Sequence, residues 1–380
     1  MCFKYIFYIV LALFAFCACS DDTDIPEGPA KKTLLVYIAG DNNLSSDGEQ
    51  NIKNILKGAQ DAHLDKGNLL VYFDSADNVP LLLKVKASSN GQFKTDTLQV
   101  YSEQNSLNVG VMNGIINDVV SSFPAESYGL ILWSHGLAWF PEDLTGMLRS
   151  FGDDKGKQME IEELAAAIPD HTFDFILFDA CYMGSMEVVY ELRNKAKYII
   201  ASPTEIFSNG FPYQDIIGPL FADTPDLVQV CLSFYDFYNQ QSGLYRSGTV
   251  SLSSTAEVEQ LAEMVREIVN DNKEAIAGLS VDEVQKLDYI SYRYHLLYDF
   301  DDFISHIATA EQYERFKQLL SEVVIFSKST PKATYGISGN PQVALEHFSG
   351  LSVYIPQVDY PRLNNWYTVH TAWGKAVYAE

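Results

Sequence analysis

Cysteine is scarce in this chain, and most of it lies near the N-terminus. The 380 residues include five cysteines, and removal of residues 1–18 would leave Cys19, Cys181 and Cys231. This small number of thiols excludes a disulfide-based scaffold. The fold must therefore be stabilised by its hydrophobic core. Cys231 falls on the apolar face of a predicted helix, which indicates a core residue. A Cys181–Cys231 disulfide is the alternative for both residues.

Basic residues are also few. The chain has 26 Lys and Arg against 50 Asp and Glu, a formal net charge of −24. Loss of residues 1–18, which contain Lys4 and no acid, makes this charge −25. Such a surface repels nucleic acid and anionic membranes and favours basic protein or peptide substrates. We expect no nucleic-acid partner and a monomeric protein.

The histidines do not form a metal-binding pattern. Apart from His135 they are scattered, and none forms the i, i+4 pair of a helical zinc site. These residues are His63, His171, His295, His306, His347 and His370. The sequence also has no glycine-rich phosphate loop and no internal repeat.

One long apolar run is present, at the N-terminus. Tyr5–Ala18 follows Lys4 and is too short for a comfortable membrane span, but it suits a signal-peptide core. Its end resembles a bacterial lipoprotein signal, which implies cleavage after residue 18 and acylation of Cys19. Residues 19–32 then form a polar tether, and the protein is lipid-anchored in the cell envelope, at the outer membrane or cell surface. An ordinary secretory signal is the alternative.

Strand and helix patterns alternate from residue 33 onward. Apolar runs predict strands at 33–39, 68–74, 81–86, 128–133, 173–179 and 197–201, with a further short strand at 96–101. Helical spacing lies between them, including 109–123, 160–168 and 183–194. This alternation predicts an α/β fold with a mostly parallel sheet covered on both faces.

The second half changes character. Long helices are predicted at about 224–241, 256–275 and 311–326, interrupted by strands at 248–252 and 350–355. We therefore divide the mature chain into an α/β catalytic core, 33–222, and a largely helical region, 223–380, that returns strands to the same sheet.

Two of the apolar strands are followed by reactive side chains. His135 and Gly136 come after strand 128–133, and Cys181 comes after strand 173–179. Since ligands gather beyond the carboxyl ends of parallel strands, these residues are expected to meet although 46 positions apart. A thiol nucleophile needs an imidazole to protonate the leaving amine and backbone N–H donors for the oxyanion. Gly136 and Cys181 would supply those donors, and a helix starting near Met183 would favour the thiolate.

Each residue alone also has a structural interpretation. His135 could be a hydrogen-bonded histidine at a strand end, and Cys181 a small buried hydrophobe. Their joint position at two strand ends, flanked by small residues, favours catalysis.

The same segments carry a family resemblance. Leu132-Trp133-Ser134-His135-Gly136 and Phe178-Asp179-Ala180-Cys181 resemble the paired motifs of clostripain-like cysteine peptidases, of the caspase–gingipain clan. Further matches lie at 37–44, 198–202, 210–213 and 350–356. The resemblance spans about residues 33–380 and implies a caspase-like fold, a Cys181/His135 dyad, and an oxyanion hole at Gly136 and Cys181. The resemblance implies that the protein requires no cofactor, although calcium dependence occurs in relatives.

The resemblance also implies an acidic S1 pocket that selects Arg or Lys. Asp179 matches one acidic position, and its alternative role is to cap a helix or bind a loop amide. Asn209 stands where a second carboxylate is expected, and Phe211 replaces a tryptophan. Glu205 could substitute for the missing carboxylate.

Activation and calcium binding are two further expectations. Some relatives are activated by cleavage in the loop that corresponds to 141–157, where Arg149, Lys155 and Lys157 lie; an ordinary solvated loop is the alternative. No EF-hand spacing occurs, and Asp299–Asp302 is interpreted as a helix start. The functional alternatives are a peptidase of different P1 preference, a self-processing one, and a silent surface binding module.

Overall fold

Strands that are apolar along most of their length form a central sheet. The structure is a computed structural model that describes residues 29–60, 62, 64–141, 150–289, 295–336 and 338–378. The strands are β1 Lys32–Gly40, β2 Gly67–Ser75, β3 Asn78–Ala87, β4 Phe93–Val100, β5 Tyr128–Trp133, β6 Phe151–Asp154, β7 Lys157–Met159, β8 Phe173–Asp179, β9 Ala196–Ala201, β10 Thr249–Ser254, β11 Tyr298–Asp299, β12 Val324–Ser329, β13 Lys332–Thr334, β14 Gln342–Ala344 and β15 Ser352–Val353. Nine of them form one sheet in the order β12-β10-β9-β8-β5-β1-β2-β3-β4.

The sheet is parallel at its centre and antiparallel at both edges. Strands β9, β8, β5, β1 and β2 pair in parallel. Antiparallel pairs β2–β3 and β3–β4 complete one side, and β9–β10 and β10–β12 the other. The expected α/β fold with a sheet flanked by helices is confirmed, and the sheet is mixed rather than mostly parallel.

Helices cover both faces of the sheet. They are α1 Ser45–Gly58, α2 Val109–Ser122, α3 Ile161–Ala167, α4 Met186–Glu191, α5 Tyr213–Leu220, α6 Leu227–Asn239, α7 Val258–Asp271, α8 Lys273–Gly278, α9 Phe300–Ile307, α10 Ala310–Val323, α11 Pro361–His370 and α12 Ala372–Tyr378. Leu35 and Tyr37 of β1 pack on the face covered by helices such as α2 and α7. Val36 and Ile38 pack on the other face, against α1, α5 and α6. This alternation in β1 explains its continuous apolar run, because both faces are buried.

Three predicted boundaries were wrong. The helix expected at 183–194 is confined to Met186–Glu191, because the Ser185 hydroxyl caps it by accepting from Val188 N–H at 3.3 Å. The helix expected at 311–326 ends at Val323, where a β-branched stretch becomes β12 of the sheet. Within the expected loop 141–157, β6 pairs with β7 in a hairpin.

The C-terminal region returns two strands to the sheet, β10 and β12. The segment expected as a strand at 350–355 is extended only at Ser352–Val353, and it pairs with β11 outside the main sheet. Asp299 is the N-cap of α9 and accepts from Asp302 N–H at 3.1 Å, so its interpretation as a helix start is confirmed.

Candidate active site

The parallel pairing of β5 and β8 brings the two motifs together. Trp133 lies directly opposite Asp179 in this register, so residues 134–136 and 180–182 leave the sheet side by side. His135 and Cys181 both line one cleft of about 480 Å³ at this edge.

The cleft contains more negative than positive groups. Its polar lining includes the carboxylates of Asp179 and Glu205 and the imidazole of His135. No Lys or Arg is among the described residues that line it. Apolar walls come from Leu44, Trp133, Leu137, Ile206 and Phe207.

The His135 ring is held by a residue of the turn after β1. The ring nitrogen Nε2 lies 2.8 Å from Asn43 Oδ1. The backbone oxygen of His135 accepts from Gly152 N–H at 2.9 Å. Burial lowers the pKa of His135, partly offset by the negative charge of Asp153. The imidazole is therefore neutral at pH 7, and since Asn43 Oδ1 only accepts, Nε2 is the protonated nitrogen in this arrangement.

The Cys181 thiol is engaged by the opposite wall. Ile206 N–H donates to Sγ at 3.3 Å, and the thiol donates to Ile206 O at 3.5 Å. Burial, and next the nearby Glu205 carboxylate, raise the pKa of Cys181 to about 12. The structure gives no hydrogen bond between the described side chains of His135 and Cys181. Cys181 is therefore a protonated thiol at neutral pH in this arrangement.

Gly136 makes the approach of the two strand ends sterically feasible. A Cβ at this position would lie 2.5 Å from Cys181 O, so a larger residue would push the segments apart. Gly136 bridges Phe151 through bonds made by its neighbours, Leu137 N–H to Ser150 O and Gly152 N–H to His135 O. This pairing does not use the Gly136 N–H.

The expected helix dipole next to the thiol is absent from this part of the structure. α4 begins at Met186 and has only six residues. Between it and Cys181 the chain turns through Tyr182, whose φ of 61° is left-handed, and Tyr182 N–H donates to Thr204 O at 3.0 Å. Thiolate stabilisation by a helix starting near Met183 was therefore a wrong prediction.

Asp179 lines the cleft and is almost fully buried. Its Oδ2 accepts from Phe211 N–H at 3.1 Å and from the Tyr213 hydroxyl at 2.9 Å. Burial raises its pKa to about 6, against the lowering effect of these bonds. A Cβ on Gly210 would come within 2.4 Å of Oδ2, so this carboxylate and the loop at 210 are closely fitted.

The other two candidate pocket residues differ in position. Glu205 is half-buried in the cleft and accepts from the Tyr182 hydroxyl at 3.0 Å and from Gly336 N–H at 2.5 Å. Asn209 is exposed and does not line the cleft. Phe211 is fully buried against Phe234, with ring centroids 4.4 Å apart, which is a packing role.

The remaining candidates lie away from the dyad or outside the described residues. Cys19 and Arg149 fall outside the described part of the chain. Lys155 is exposed and pairs with Asp41 and Glu103, and Lys157 is exposed in β7. Cys231 is fully buried in α6 and is a free thiol, as is Cys181, which confirms its core role.

The sequence did not predict two contacts of the candidate residues His135 and Cys181. In the turn 41–43 that follows β1, Asn42 has a structural role, since its Oδ1 accepts from Leu44 N–H at 2.8 Å. Asn43, however, contacts His135. The signal available in the sequence was that this turn follows an apolar strand, whose carboxyl end is expected at the same edge of a parallel sheet as His135. No sequence signal pointed to Ile206 as the partner of the thiol.

Known proteins are similar to this chain over most of its length. The model of the clostripain family, Peptidase C11, matches residues 36–376. An X-ray structure of an inactive zymogen C11 protease from Parabacteroides distasonis is 40% identical, with a TM-score of 0.84, and covers 92% of this chain and 99% of that chain. A secreted C11 cysteine protease from Bacteroides thetaiotaomicron, solved with an irreversible peptide inhibitor, is 30% identical, with a TM-score of 0.81 and the same coverage of 92% and 99%. No curated protein shows significant similarity.

Among the helices of the described chain, none is both long enough and apolar enough to span a bilayer.

Proposed function

Since this chain belongs to the clostripain family and is a cysteine peptidase, we propose that it is an exported, lipid-anchored endopeptidase that cleaves after Arg or Lys through Cys181 and His135. One observation carries this proposal: the thiol and the imidazole line the same cleft as two carboxylates, with no basic side chain among its described lining residues.

The chemistry follows from the two side chains. Cys181 Sγ passes its proton to the neutral imidazole of His135 and attacks the peptide carbonyl carbon, forming a tetrahedral oxyanion. The C–N bond then breaks, His135 gives a proton to the leaving amine, and an acyl-enzyme thioester remains. Water, deprotonated by His135, attacks the thioester and releases the new carboxyl end and the thiol. Gly136 N–H and Cys181 N–H are the proposed donors to the oxyanion.

The preference for Arg or Lys rests on charge in an apolar cleft. A cationic P1 side chain gains most from a carboxylate that is shielded from water, as Asp179 is. Both hydrogen bonds to Asp179 from the described residues reach Oδ2, which leaves Oδ1 for a substrate cation. Glu205 is a second acidic group in the same cleft. Asn209 is a weaker candidate because it is exposed.

The stored thiol suggests a resting state. Ile206 must release Sγ before the thiol can attack a substrate. A solved relative is described as an inactive zymogen, and we propose that this chain is activated by cleavage in the 141–157 loop at Arg149, Lys155 or Lys157. Lys155 is held by two carboxylates, which makes it the poorest of the three sites.

Export and anchoring rest on the N-terminal sequence. Residues 1–18 have the features of a lipoprotein signal and Cys19 is the proposed acylated residue. A solved relative is described as secreted. Intact-mass analysis after expression in a Gram-negative host tests this step, and an unmodified N-terminus would refute the anchor.

A thiol-reactive peptidyl probe ending in Lys tests the peptidase directly. We expect covalent labelling of wild type, before or after a limited trypsin clip, and none of Cys181→Ala. The Cys231→Ala variant is the matched control and should label like wild type. Failure of the clipped and unclipped wild type to label would favour a silent binding module. Equal labelling by probes ending in Leu and Lys would refute the basic preference.

A further inference from the structure

A groove at the amino end of the sheet carries the opposite charge to the catalytic cleft. It has a volume of about 790 Å³, and four lysines line it, Lys31, Lys66, Lys84 and Lys86. No Asp or Glu is among its described lining residues. In a chain with 50 acidic and 26 basic residues, this group of lysines is a local reversal of the surface charge.

The strand order brings these lysines together. Lys31 and Lys66 directly precede β1 and β2, whose first residues are paired in parallel. β3 runs antiparallel to β2, so Lys84 and Lys86 near its end lie beside the start of β2. The four ammonium groups therefore belong to one side of the sheet rather than to scattered loops.

The groove and the catalytic cleft lie at opposite ends of β1. Residues 29–31, which precede this strand, line the groove. Ala39, next to the last residue of β1, accepts from the hydroxyl of Ser134 in the cleft at 2.7 Å. β1 has nine residues and rises by about 3.3 Å per residue, so roughly 26 Å separate its two ends. A flat surface in contact with the groove therefore leaves the cleft accessible.

Two of the four lysines have carboxylate partners. Lys31 donates to both oxygens of Glu126, at 2.7 and 2.8 Å. Lys86 pairs with Asp96, but the same carboxylate also pairs with Lys94 at 3.2 Å. One negative charge is thus shared between two ammonium groups at the end of the groove formed by β3 and β4.

The other two lysines have no carboxylate partner among the described residues. Lys84 Nζ donates to the neutral Oδ1 of Asn68 at 2.9 Å, and Lys66 is exposed and forms no salt bridge there. Burial, and next the positive charge of Lys86, lower the pKa of Lys84. An anion in the groove would oppose this repulsion between ammonium groups.

The N-terminal segment joins the domain at this groove. Pro29 and Ala30 line it together with apolar side chains, Leu64, Val85, Ala87 and Phe93. Residues 19–28 lead from here to Cys19 and can span at most roughly 35 Å. An acyl group on Cys19 would therefore keep the groove within that distance of a lipid surface.

We propose that this groove and its lysines form the face by which the anchored protein contacts a membrane surface rich in anionic lipid headgroups. Lysine ammonium groups bind phosphate oxygens, and four or more of them beside a membrane anchor are typical of contact with anionic lipids. The orientation, with the catalytic cleft directed away from the membrane, rests on the proposed anchor at Cys19. The contact between lysines and headgroups depends neither on the anchor nor on peptidase activity.

The negative net charge does not prevent this contact at physiological salt. The Debye length is about 8 Å at 0.15 M ionic strength, so acids on remote surfaces of the protein are screened from the membrane. Lysines that touch the headgroups lie within that distance. Local rather than net charge therefore determines the interaction, and the interaction should weaken as salt rises.

Vesicle binding by the unacylated protein isolates the lysine face. The mature chain carrying Cys19→Ser is mixed with vesicles of phosphatidylcholine, alone or with an equal part of phosphatidylglycerol, at about 0.15 M salt. We expect binding to the anionic vesicles to be about tenfold tighter or more, and Lys66→Gln with Lys86→Gln to remove that gain. Lys273→Gln with Lys332→Gln is the matched control, because both lysines are exposed and lie outside the groove. It should bind as the parent protein does.

Two further measurements localise the contact. Lys66→Arg with Lys86→Arg keeps both charges and should retain the binding. Lysine acetylation, followed by mass spectrometry, should be slowed by anionic vesicles at Lys31, Lys66 and Lys86 and be unchanged at Lys273.

The proposal is overturned if the parent protein does not prefer anionic vesicles, or if the glutamine pair binds as tightly as the parent. Protection of the same lysines by inorganic phosphate, as fully as by vesicles, would assign the groove to a small soluble anion and overturn the membrane contact. Protection that needs only a higher protein concentration would assign the groove to a second copy of the chain.

Turnover of a soluble Lys substrate keeps this proposal apart from the proposed peptidase function. The glutamine pair should turn this substrate over as wild type does, because the groove lies at the other end of β1 from the cleft. An inactive wild type would refute the peptidase proposal and leave the vesicle result standing.

Discussion

The two walls of the cleft are built differently. One wall consists of strand ends, where residues 134–136 and 180–182 are placed by the parallel register of β5 and β8. The other wall, residues 205–208 with Gly336, carries no sheet pairing at Ile206 and is attached by side-chain contacts such as Tyr182 to Glu205. The first wall fixes the positions of His135 and Cys181, and the second contacts the thiol through Ile206 and carries the Glu205 carboxylate.

Removal of the imidazole should have the largest effect and should separate the two walls. His135→Ala is expected to lower kcat by about 10²–10⁴-fold, the range for loss of a general acid–base group. Alkylation of Cys181 by iodoacetamide should change by less than about threefold, because Sγ is bonded to Ile206 and not to the ring. Turnover and alkylation rates, measured on the same activated preparation, check this. A parallel collapse of both rates would mean that the imidazole, not the Ile206 wall, controls the thiol.

Loss of the buried carboxylate should rank second. Asp179→Asn is expected to lower kcat/KM for a Lys substrate by about 30-fold or more, since an unpaired buried cation costs about 2–5 kcal/mol. The amide oxygen of Asn can still accept from Phe211 N–H, so the loop at 210 should stay in place. A matched substrate with Gln at P1 is the control and should be turned over as by wild type. Equal losses for both substrates would assign Asp179 a purely structural role.

A change at Asn43 tests how the first wall orients its histidine. Asn43→Asp keeps an oxygen next to Nε2 and adds a negative charge, which should raise the pKa of His135. In the native protein burial lowers the pKa of His135. Since the added charge raises this pKa, the acidic limb of the pH–kcat/KM profile should move to higher pH. The acidic limb reports the pKa of His135 in the free enzyme. Misfolding would lower kcat/KM at every pH without moving the limb, so the shift identifies an effect on the imidazole. The shift should be about one pH unit, with circular dichroism as the structural control.

The sequence predicted the first wall far better than the second. Strands β1, β5 and β8 were placed to within a residue, because each is an apolar run with both faces buried and a clear end. The pairing of Asn43 with His135 spans 92 positions, and that of Cys181 with Ile206 spans 25. Neither follows from local periodicity, since both depend on how loops pack once the sheet has formed.

The boundary errors have the same origin. The helix at 183 was predicted from apolar residues that lie instead in a turn with a left-handed Tyr182 and a Ser185 cap. The end of α10 was missed because Val323 and Val324 fit both a helical face and a strand. In each case tertiary contacts decided between two local structures that the sequence allowed.

The smallest expected effect tests whether the second wall controls the thiol electrostatically. Glu205 is the second largest cause, after burial, of the high pKa of Cys181, about 12. Glu205→Gln removes the charge and keeps an oxygen for the Tyr182 hydroxyl and Gly336 N–H. The pKa of Cys181 should therefore fall, and since the thiolate fraction below the pKa rises tenfold per unit of lowering, alkylation at pH 8 should be about three- to tenfold faster. Wild type should show a rate that climbs with pH through pH 10 without a plateau. Cys181→Ala should show no alkylation of the folded protein beyond that of Cys19, because Cys231 is buried. An unchanged rate in Glu205→Gln would mean that burial and the Ile206 contacts alone store the nucleophile.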